Sequence, residues 1–300
     1  MKYNVFFKMK YGLIFFFTYC FILLNIVKSQ DDWDFENTAK AISFFSDTRS
    51  INGHTVNVLE EKVLELRITH RFGNLATPQA YRTLFGLDNS TDIRIGFEYG
   101  LNDKLMIGAG RSKGAGPFSE VWDGLIKYQL IKNDNSPFAM ALGSNMTFTS
   151  MPNSNDPSSL TNFTKLAHRI NYHTELLIAY QPHSKVTIQV NPGIMYLNKV
   201  HHEDQNLQIV LGNTVKFNVY NKINLIGEYY LQPFVTDYRK NKYQNPFGIG
   251  IEINTYAHVF QLNFMNSKGI GSGQFIPFTQ SKWNKGEFRF GFTIARKFNT

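Results

Sequence analysis

The stretch RSINGHTVNVLEEKVLELRITHRFG, residues 49–73, decides the fold. In its second half apolar and polar side chains alternate: Leu64, Leu66, Ile68 and Phe72 alternate with Glu65, Arg67, Thr69 and Arg71. Successive side chains of a β-strand point to opposite faces, so this strand has one apolar face and one charged face. If many such strands follow, a closed sheet with a polar interior accommodates both faces.

Twelve strand-like segments follow between residues 63 and 298, most of them about ten to fourteen residues long, enough to cross a bilayer when tilted. The connections alternate between long ones, such as 74–91, and short ones, such as 101–103. Outer-membrane barrels have short periplasmic turns and long outside loops, whereas a soluble sandwich has no reason to sort its loops. The sequence therefore predicts an all-β, antiparallel up-and-down transmembrane β-barrel of about 12 strands, with short periplasmic turns and long extracellular loops.

Residues 1–29 have the features of a secretory signal peptide. Lysines precede an apolar run at residues 13–27, and the chain turns polar after Ser29, where we expect cleavage. The alternative is a membrane anchor, but the run is short for a spanning helix. Cys20 is the only cysteine, so the mature chain would have none, which excludes thiol catalysis and cysteine–metal sites. Cleavage would also lower the net charge from +8 to +4, with no basic patch suited to nucleic acid.

The mature chain divides into two parts. Residues 30–62 are predicted to be a periplasmic N-terminal segment, and residues 63–300 the outer-membrane β-barrel. Asn52 and Gly53 between two extended pieces are a strong hairpin signal. This hairpin could be a plug or flap at the inner mouth of the barrel, or an ordinary extra hairpin. A second segment, residues 266–286, is rich in glycine and aromatic residues and could fold into the lumen or make a surface contact.

Charged residues on the predicted inner face are the candidate functional residues. The candidate lumen charges are Glu65, Arg67, Arg71, Arg94, Glu98, Asp123, Lys127, Arg169 and Glu175, and further inward candidates are Glu228, Glu252, Glu287 and Arg289. Charges of both signs on one face can pair across strands. Two interpretations stay open: a lumen that selects a solute by charge, or a salt-bridge network that fills and stiffens a narrow barrel.

Other chemistry is less well supported. The segment HHED, residues 201–204, resembles a metal cluster, but neighbouring side chains of an extended chain point apart, and zinc-protease spacing is absent. His70 and His258 on the apolar face would suit a lipid-acting enzyme, yet an interfacial aromatic belt explains them equally well, and the Gly-x-Ser-x-Gly elbow is absent. We therefore predict no catalytic residue, no metal site and no cofactor.

Four segments carry a resemblance to a known family: SINGH (50–54), LRITHRFG (66–73), FGLD (85–88) and IRIGFEYG (93–100). They resemble a family of outer-membrane β-barrels of the Bacteroidota, catalogued as domain of unknown function 5777. The resemblance extends from about residue 40 to the end of the chain and is densest before residue 130. It implies an outer-membrane barrel and supplies no substrate or catalytic residue.

The predicted function is a non-enzymatic channel or transporter for a small solute in the bacterial outer membrane. The alternatives are a closed barrel that anchors or scaffolds a partner, and a lipid-acting enzyme. Expected partners are outer-membrane lipid, a small solute and the barrel assembly machinery, whose C-terminal signal the strand ending at Phe298 resembles. Nucleic acid is not an expected partner.

Overall fold

The computed structural model describes residues 44–132, 136–255 and 257–300. The predicted signal peptide and residues 30–43 lie outside the described residues, so the expected cleavage after Ser29 stays a prediction. In the part of the chain that is described, no helix has the length and hydropathy needed to cross a membrane.

Twelve antiparallel strands close into a barrel, in which each strand pairs with its neighbours along the chain and β1 pairs with β12. The strands are β1 (Val63–Asn74), β2 (Ser90–Asn102), β3 (Leu105–Lys113), β4 (Glu120–Ile131), β5 (Phe138–Thr149), β6 (Ile170–His183), β7 (Val186–Leu197), β8 (Leu207–Tyr220), β9 (Ile223–Leu231), β10 (Phe247–Asn254), β11 (His258–Met265) and β12 (Arg289–Asn299). The predicted fold class is confirmed.

Short helices lie between some of the strands. The α-helices are α1 (Asp237–Lys242) and α2 (Ser272–Phe278), and the 3-10 helices are Ala80–Thr83, Leu166–Arg169 and Trp283–Lys285. The second 3-10 helix ends at Arg169, which the alternation pattern places on a strand, and β6 begins one residue later, at Ile170.

The alternation of side chains gives the barrel its two faces. Large apolar residues point outward and are about half exposed, as Phe97, Trp122 and Ile194 illustrate. Aromatic pairs join neighbouring strands on this face, for example Phe138 and Tyr180, whose ring centroids are 4.5 Å apart. Such pairs stabilise an antiparallel sheet, and the apolar band suits contact with lipid.

The connections fall into two classes that alternate along the chain. Short turns join β2 to β3, β6 to β7 and β8 to β9, while long loops such as 150–169 and 266–288 join β5 to β6 and β11 to β12. In an up-and-down barrel the two classes lie at opposite ends. The start of β1 lies at the short-turn end, because residue 62 bonds to Gly100 beside the β2–β3 turn.

Candidate functional site

The barrel interior carries the charged strip that the sequence predicts. Eight of the nine candidates lie on strands and are no more than 6% exposed: Glu65, Arg67, Arg71, Arg94, Glu98, Asp123, Lys127 and Glu175. Some of these charges pair within the wall. Arg94 binds both carboxylate oxygens of Asp123, at 2.9 and 2.7 Å, and Arg67 lies 2.9 Å from Glu65.

Two of the charges named from the sequence do not lie on the inner strip. Arg169 belongs to the 3-10 helix before β6, where its guanidinium donates to the carbonyls of Thr149 and Met151 and lies over the Phe163 ring. Glu287 precedes β12 and accepts a hydrogen bond from the Lys282 amide. β6 begins at Ile170 and β12 at Arg289, each just after the residue in question. Both residues therefore lie in loops at the long-loop end of the barrel.

A segment of the N-terminal part of the chain occupies the lumen. We call residues 44–59 the plug; apart from Ser46, Asn57 and Val58, which are partly exposed, its residues are buried. The plug is a hairpin whose tip is closed by the Ser50 amide, which donates to the Gly53 carbonyl at 2.9 Å. A Cβ at Gly53 would overlap the hydroxyl of Tyr230, so the tip requires glycine.

Both ends of the plug lie at the short-turn end of the barrel. The Phe44 carbonyl accepts a hydrogen bond from Thr187, near the start of β7, and the Phe44 ring packs among small residues of β5 and β6. At its other end Leu59 packs on Met106, beside the β2–β3 turn. The plug therefore enters the lumen, turns, and leaves on the same side before β1 begins.

The plug and the wall have complementary charges. Arg49 of the plug pairs with Glu98 of β2 at 2.8 Å, and Asp47 of the plug pairs with Arg67 of β1. Lys127 of β4 donates from its ammonium to the plug carbonyls of Thr48 and Thr55, at 3.0 and 3.1 Å. The lumen charges thus bind the plug in addition to pairing with one another.

Polar residues that were not on the list of nine candidates also hold the plug. Glu228 of β9 accepts hydrogen bonds from the Ser50 hydroxyl and from the amides of Ile51, Asn52 and Gly53. Successive backbone amides that converge on one oxygen form an anion-binding nest. In addition, Gln189 of β7 accepts from the Val56 amide at 2.7 Å and donates to the His54 carbonyl at 2.9 Å.

A second insert enters from the long-loop end. We call residues 266–279 the inner loop; it includes α2, and all its residues are buried except Lys268. The Ile270 amide donates to Asp92 of β2 at 3.1 Å, and the Gln274 side chain donates to the Phe118 carbonyl at 3.0 Å. The segment therefore folds into the lumen, which is one of the two arrangements that its sequence allowed.

The two inserts meet inside the barrel at Asn52. The side-chain nitrogen of Asn52 donates a hydrogen bond to the Gly269 carbonyl of the inner loop at 3.1 Å. Its side-chain oxygen accepts a hydrogen bond from the Arg71 guanidinium of the wall at 2.8 Å. Tyr230 lies beside the same contact, with its ring centroid 5.0 Å from that of Phe275 in α2. The plug and the inner loop thus obstruct the lumen in series.

The inner loop presents one cation to the outer solvent. Burial and the neighbouring Arg289 guanidinium lower the pKa of the Lys268 ammonium, and Glu287 opposes this shift. The side chain is nevertheless exposed, whereas the residues on both sides of it are buried.

The comparisons with known proteins agree with this architecture. A family described as membrane bound beta barrel domain (DUF5777) matches residues 45–298. The chain belongs to this family. The match confirms the resemblance drawn from the sequence, whereas the Bacteroidota origin stays a prediction. A closed barrel with an even number of strands and alternating short turns and long loops is the outer-membrane type, so the expected location is confirmed as well.

Several solved outer-membrane proteins are similar in fold. The KdgM porin is 9% identical, with 79% of this chain and 99% of that chain covered and a TM-score of 0.48. An outer membrane channel from Pseudomonas putida F1 is 9% identical, with 81% and 98% covered and a TM-score of 0.46. Omp33 of Acinetobacter baumannii is 8% identical, with 79% and 99% covered and a TM-score of 0.42. A search of curated proteins finds no significant match.

Proposed function

We propose that the protein is a non-enzymatic outer-membrane channel for a small solute, closed in this conformation by the plug and the inner loop. The observation that carries the proposal is the polar character of the plug contacts. The ion pairs of Arg49 and Asp47 and the nest around Glu228 join the plug to charged wall residues. Water and a polar solute can replace such contacts when the plug leaves.

The energetics favour a reversible plug over a permanent core. Replacing a buried ion pair by apolar residues of similar volume often leaves protein stability unchanged or raises it by about 1–4 kcal/mol. A barrel that stays permanently filled therefore does not need charged residues inside. Hydrogen bonding within the described residues is also incomplete: both ring nitrogens of His54 and the Asn263 amide group have no partner there. An open lumen would let water hydrate these polar groups.

The path of the chain supports withdrawal of the plug as a unit. Because both ends of the plug lie at the short-turn end, the hairpin can move toward the periplasm without threading a terminus through the barrel. The connection to β1 is exposed at Glu60, Glu61 and Lys62, and the Lys62 amide ties it to the Gly100 carbonyl beside the β2–β3 turn. The inner loop, which is attached to β11 and β12, can move toward the outside. Passage of solute requires both displacements.

One observation favours the alternative, a closed barrel that serves as an anchor or scaffold. Ile51 of the plug and Phe275 and Ile276 of the inner loop belong to one apolar cluster with wall residues such as Met195 and Val210. Burial of such side chains contributes about 1.5–3 kcal/mol each, so this cluster opposes opening. The two functions therefore differ in one respect: a channel opens a path through the lumen at times, whereas a scaffold keeps the lumen filled.

The test is to reconstitute the purified protein in a planar bilayer and record current under an applied voltage. A gated channel is expected to show discrete openings separated by long closed intervals, because the polar contacts must break together. A permanently filled barrel is expected to show none, at any voltage that leaves the bilayer intact. A heat-modifiability gel on the same sample establishes that the barrel is folded, so that silent recordings count against the channel.

The remaining functional predictions follow from this proposal. His70 stacks on Phe292, with ring centroids 5.7 Å apart, and contacts Phe72 on the lipid face. This packing supports a place in the aromatic belt and a non-enzymatic role. Outer-membrane lipid is the expected partner of the apolar face. Recognition of β12, which contains Phe298, by the barrel assembly machinery stays a prediction.

A further inference from the structure

A tight turn lies in the long loop between β7 and β8. The Asp204 amide donates to the His201 carbonyl at 2.9 Å, which closes the turn over residues 201–204. Neighbouring side chains of an extended chain diverge, which was the reason for rejecting a metal site here. In a turn the backbone reverses direction, so neighbouring side chains can converge.

Three potential metal ligands do converge at this turn. The imidazole nitrogens of His201 and His202 and a carboxylate oxygen of Glu203 lie within 4.8 Å of one another. His201 Nδ1 and Glu203 Oε2 lie 3.6 Å apart, and the two imidazole centroids are 4.1 Å apart. Since zinc binds such atoms at about 2.0–2.2 Å, small side-chain rotations bring all three into one coordination sphere.

Helix α1 holds the turn in place. The His201 ring stacks on Tyr238, with centroids 4.2 Å apart and planes only 1° from parallel. On the other side of the turn, Asp204 forms a buried ion pair with Arg239 at 2.6 Å. Arg239 in turn donates to the Pro277 carbonyl in α2, which fixes α1 against the inner loop. Anchoring on two sides reduces the conformational entropy that the ligands lose when they bind a cation.

The surroundings leave room for further ligands. A cleft of about 710 Å³ lies beside the turn and is lined by Glu203, Asp237, Tyr238, Asn241 and Lys242. The Asp237 carboxylate adds negative charge to it. The Lys242 ammonium opposes this charge but donates a hydrogen bond to the Tyr238 hydroxyl at 2.7 Å. A cation at the turn would therefore keep positions open to water or to a small anionic ligand.

We propose that His201, His202 and Glu203 bind a late first-row divalent cation, Zn²⁺ or Cu²⁺, on the outer surface of the barrel. Two imidazoles with one carboxylate suit these ions, whereas Ca²⁺ and Mg²⁺ prefer sites built from oxygen atoms alone. The site lies in a loop outside the strands, and the proposal does not depend on an open lumen.

Isothermal titration of the full-length mature protein, purified without a polyhistidine tag, tests the site with ZnCl₂ as the probe. We expect one equivalent to bind, and His202→Ala and Glu203→Gln each to weaken binding at least about tenfold, the smallest effect typical of lost coordination support. His183→Ala, at an exposed histidine of the short-turn end, is the matched control and should bind as the wild type does. Electron paramagnetic resonance with one equivalent of Cu²⁺ should show nitrogen coupling that His202→Ala reduces.

Two results would overturn the proposal. One is equal Zn²⁺ affinity in the wild type and His202→Ala, which would place any binding elsewhere. The other is displacement of Zn²⁺ by equimolar Ca²⁺, which would indicate a carboxylate site without imidazole. Both variants change exposed loop residues, and a heat-modifiability gel shows whether each barrel is folded.

Discussion

Deletion of residues 44–59 is expected to give a barrel that opens far more often than the full chain, because the inner loop is then the one remaining obstruction of the two. The deletion removes the plug but leaves β1 intact, because that strand begins at Val63. The wall charges that bind the plug, such as Glu98 and Lys127, would then face water. Their hydration compensates for the lost contacts, so the barrel is expected to remain folded.

The inner loop is expected to produce a second feature in the current recording of this variant. Without the plug it loses the hydrogen bond from Asn52 to the Gly269 carbonyl and the apolar cluster that Phe275 shares with Ile51, but it keeps its bonds to the wall. We therefore expect brief closures superimposed on the open level. Replacing residues 267–281 by a short glycine–serine linker in the same variant should remove these closures and raise the open level.

The control is a variant that lacks only residues 30–43 and so retains the plug; it is expected to gate as the wild type does. Single-channel recording distinguishes the three proteins. If the plug deletion is folded by gel mobility but opens no more often than the control, the plug is not the main barrier to conduction. If the control itself conducts continuously, the preceding segment contributes to closure.

Glu228→Gln is expected to raise the equilibrium constant for opening by about 10- to 100-fold. The substitution removes the negative charge on which the Ser50 hydroxyl and three backbone amides converge. Hydrogen bonds to a charged group contribute about 1.5–3 kcal/mol each, and 1.4 kcal/mol is a factor of ten in an equilibrium constant. Gln retains one acceptor oxygen, so we expect partial rather than complete loss of the interaction.

Glu175→Gln is the matched control for Glu228→Gln. Glu175 is an equally buried lumen carboxylate, but its hydrogen bond comes from Asn191 of the neighbouring strand.

Trypsin cleavage after Arg49 gives an independent measure of plug release, because that residue is only 4% exposed when the plug is seated. Glu228→Gln should increase both open probability and cleavage. Equal effects of the two substitutions would show that loss of any buried carboxyl group loosens the barrel.

The strands could be predicted closely from the sequence because alternation reports on a local property. The period of two specifies which side chains face inward, and that assignment holds for residues as far apart as Glu65 and Glu175. It does not locate the ends of strands, which depend on loop packing. For this reason Arg169, whose guanidinium binds Thr149 and Met151, was placed on a strand although it lies in a 3-10 helix.

The content of the lumen could not be predicted in the same way. Asn52 and Gly53 indicated a hairpin, but its contact with Glu228 joins residues about 175 positions apart and arises only when the barrel closes. Likewise the convergence of His201 and His202 depends on a turn that alternation does not report. Long-range contacts of this kind have no periodic signal in a single sequence.

A reversible lock on the plug tests the central claim most directly. Ser46 of the plug accepts a hydrogen bond from Asn224 of β9 at 3.0 Å, and we expect mild oxidation to join cysteines placed at these two positions. Cys20 is the only native cysteine and lies in the predicted signal peptide. In a single-channel recording of Ser46→Cys/Asn224→Cys, we predict continuous closure when oxidised and a return of openings when reductant is added. Equal open probability before and after reduction, with the disulfide verified by mass spectrometry, would contradict a mobile plug.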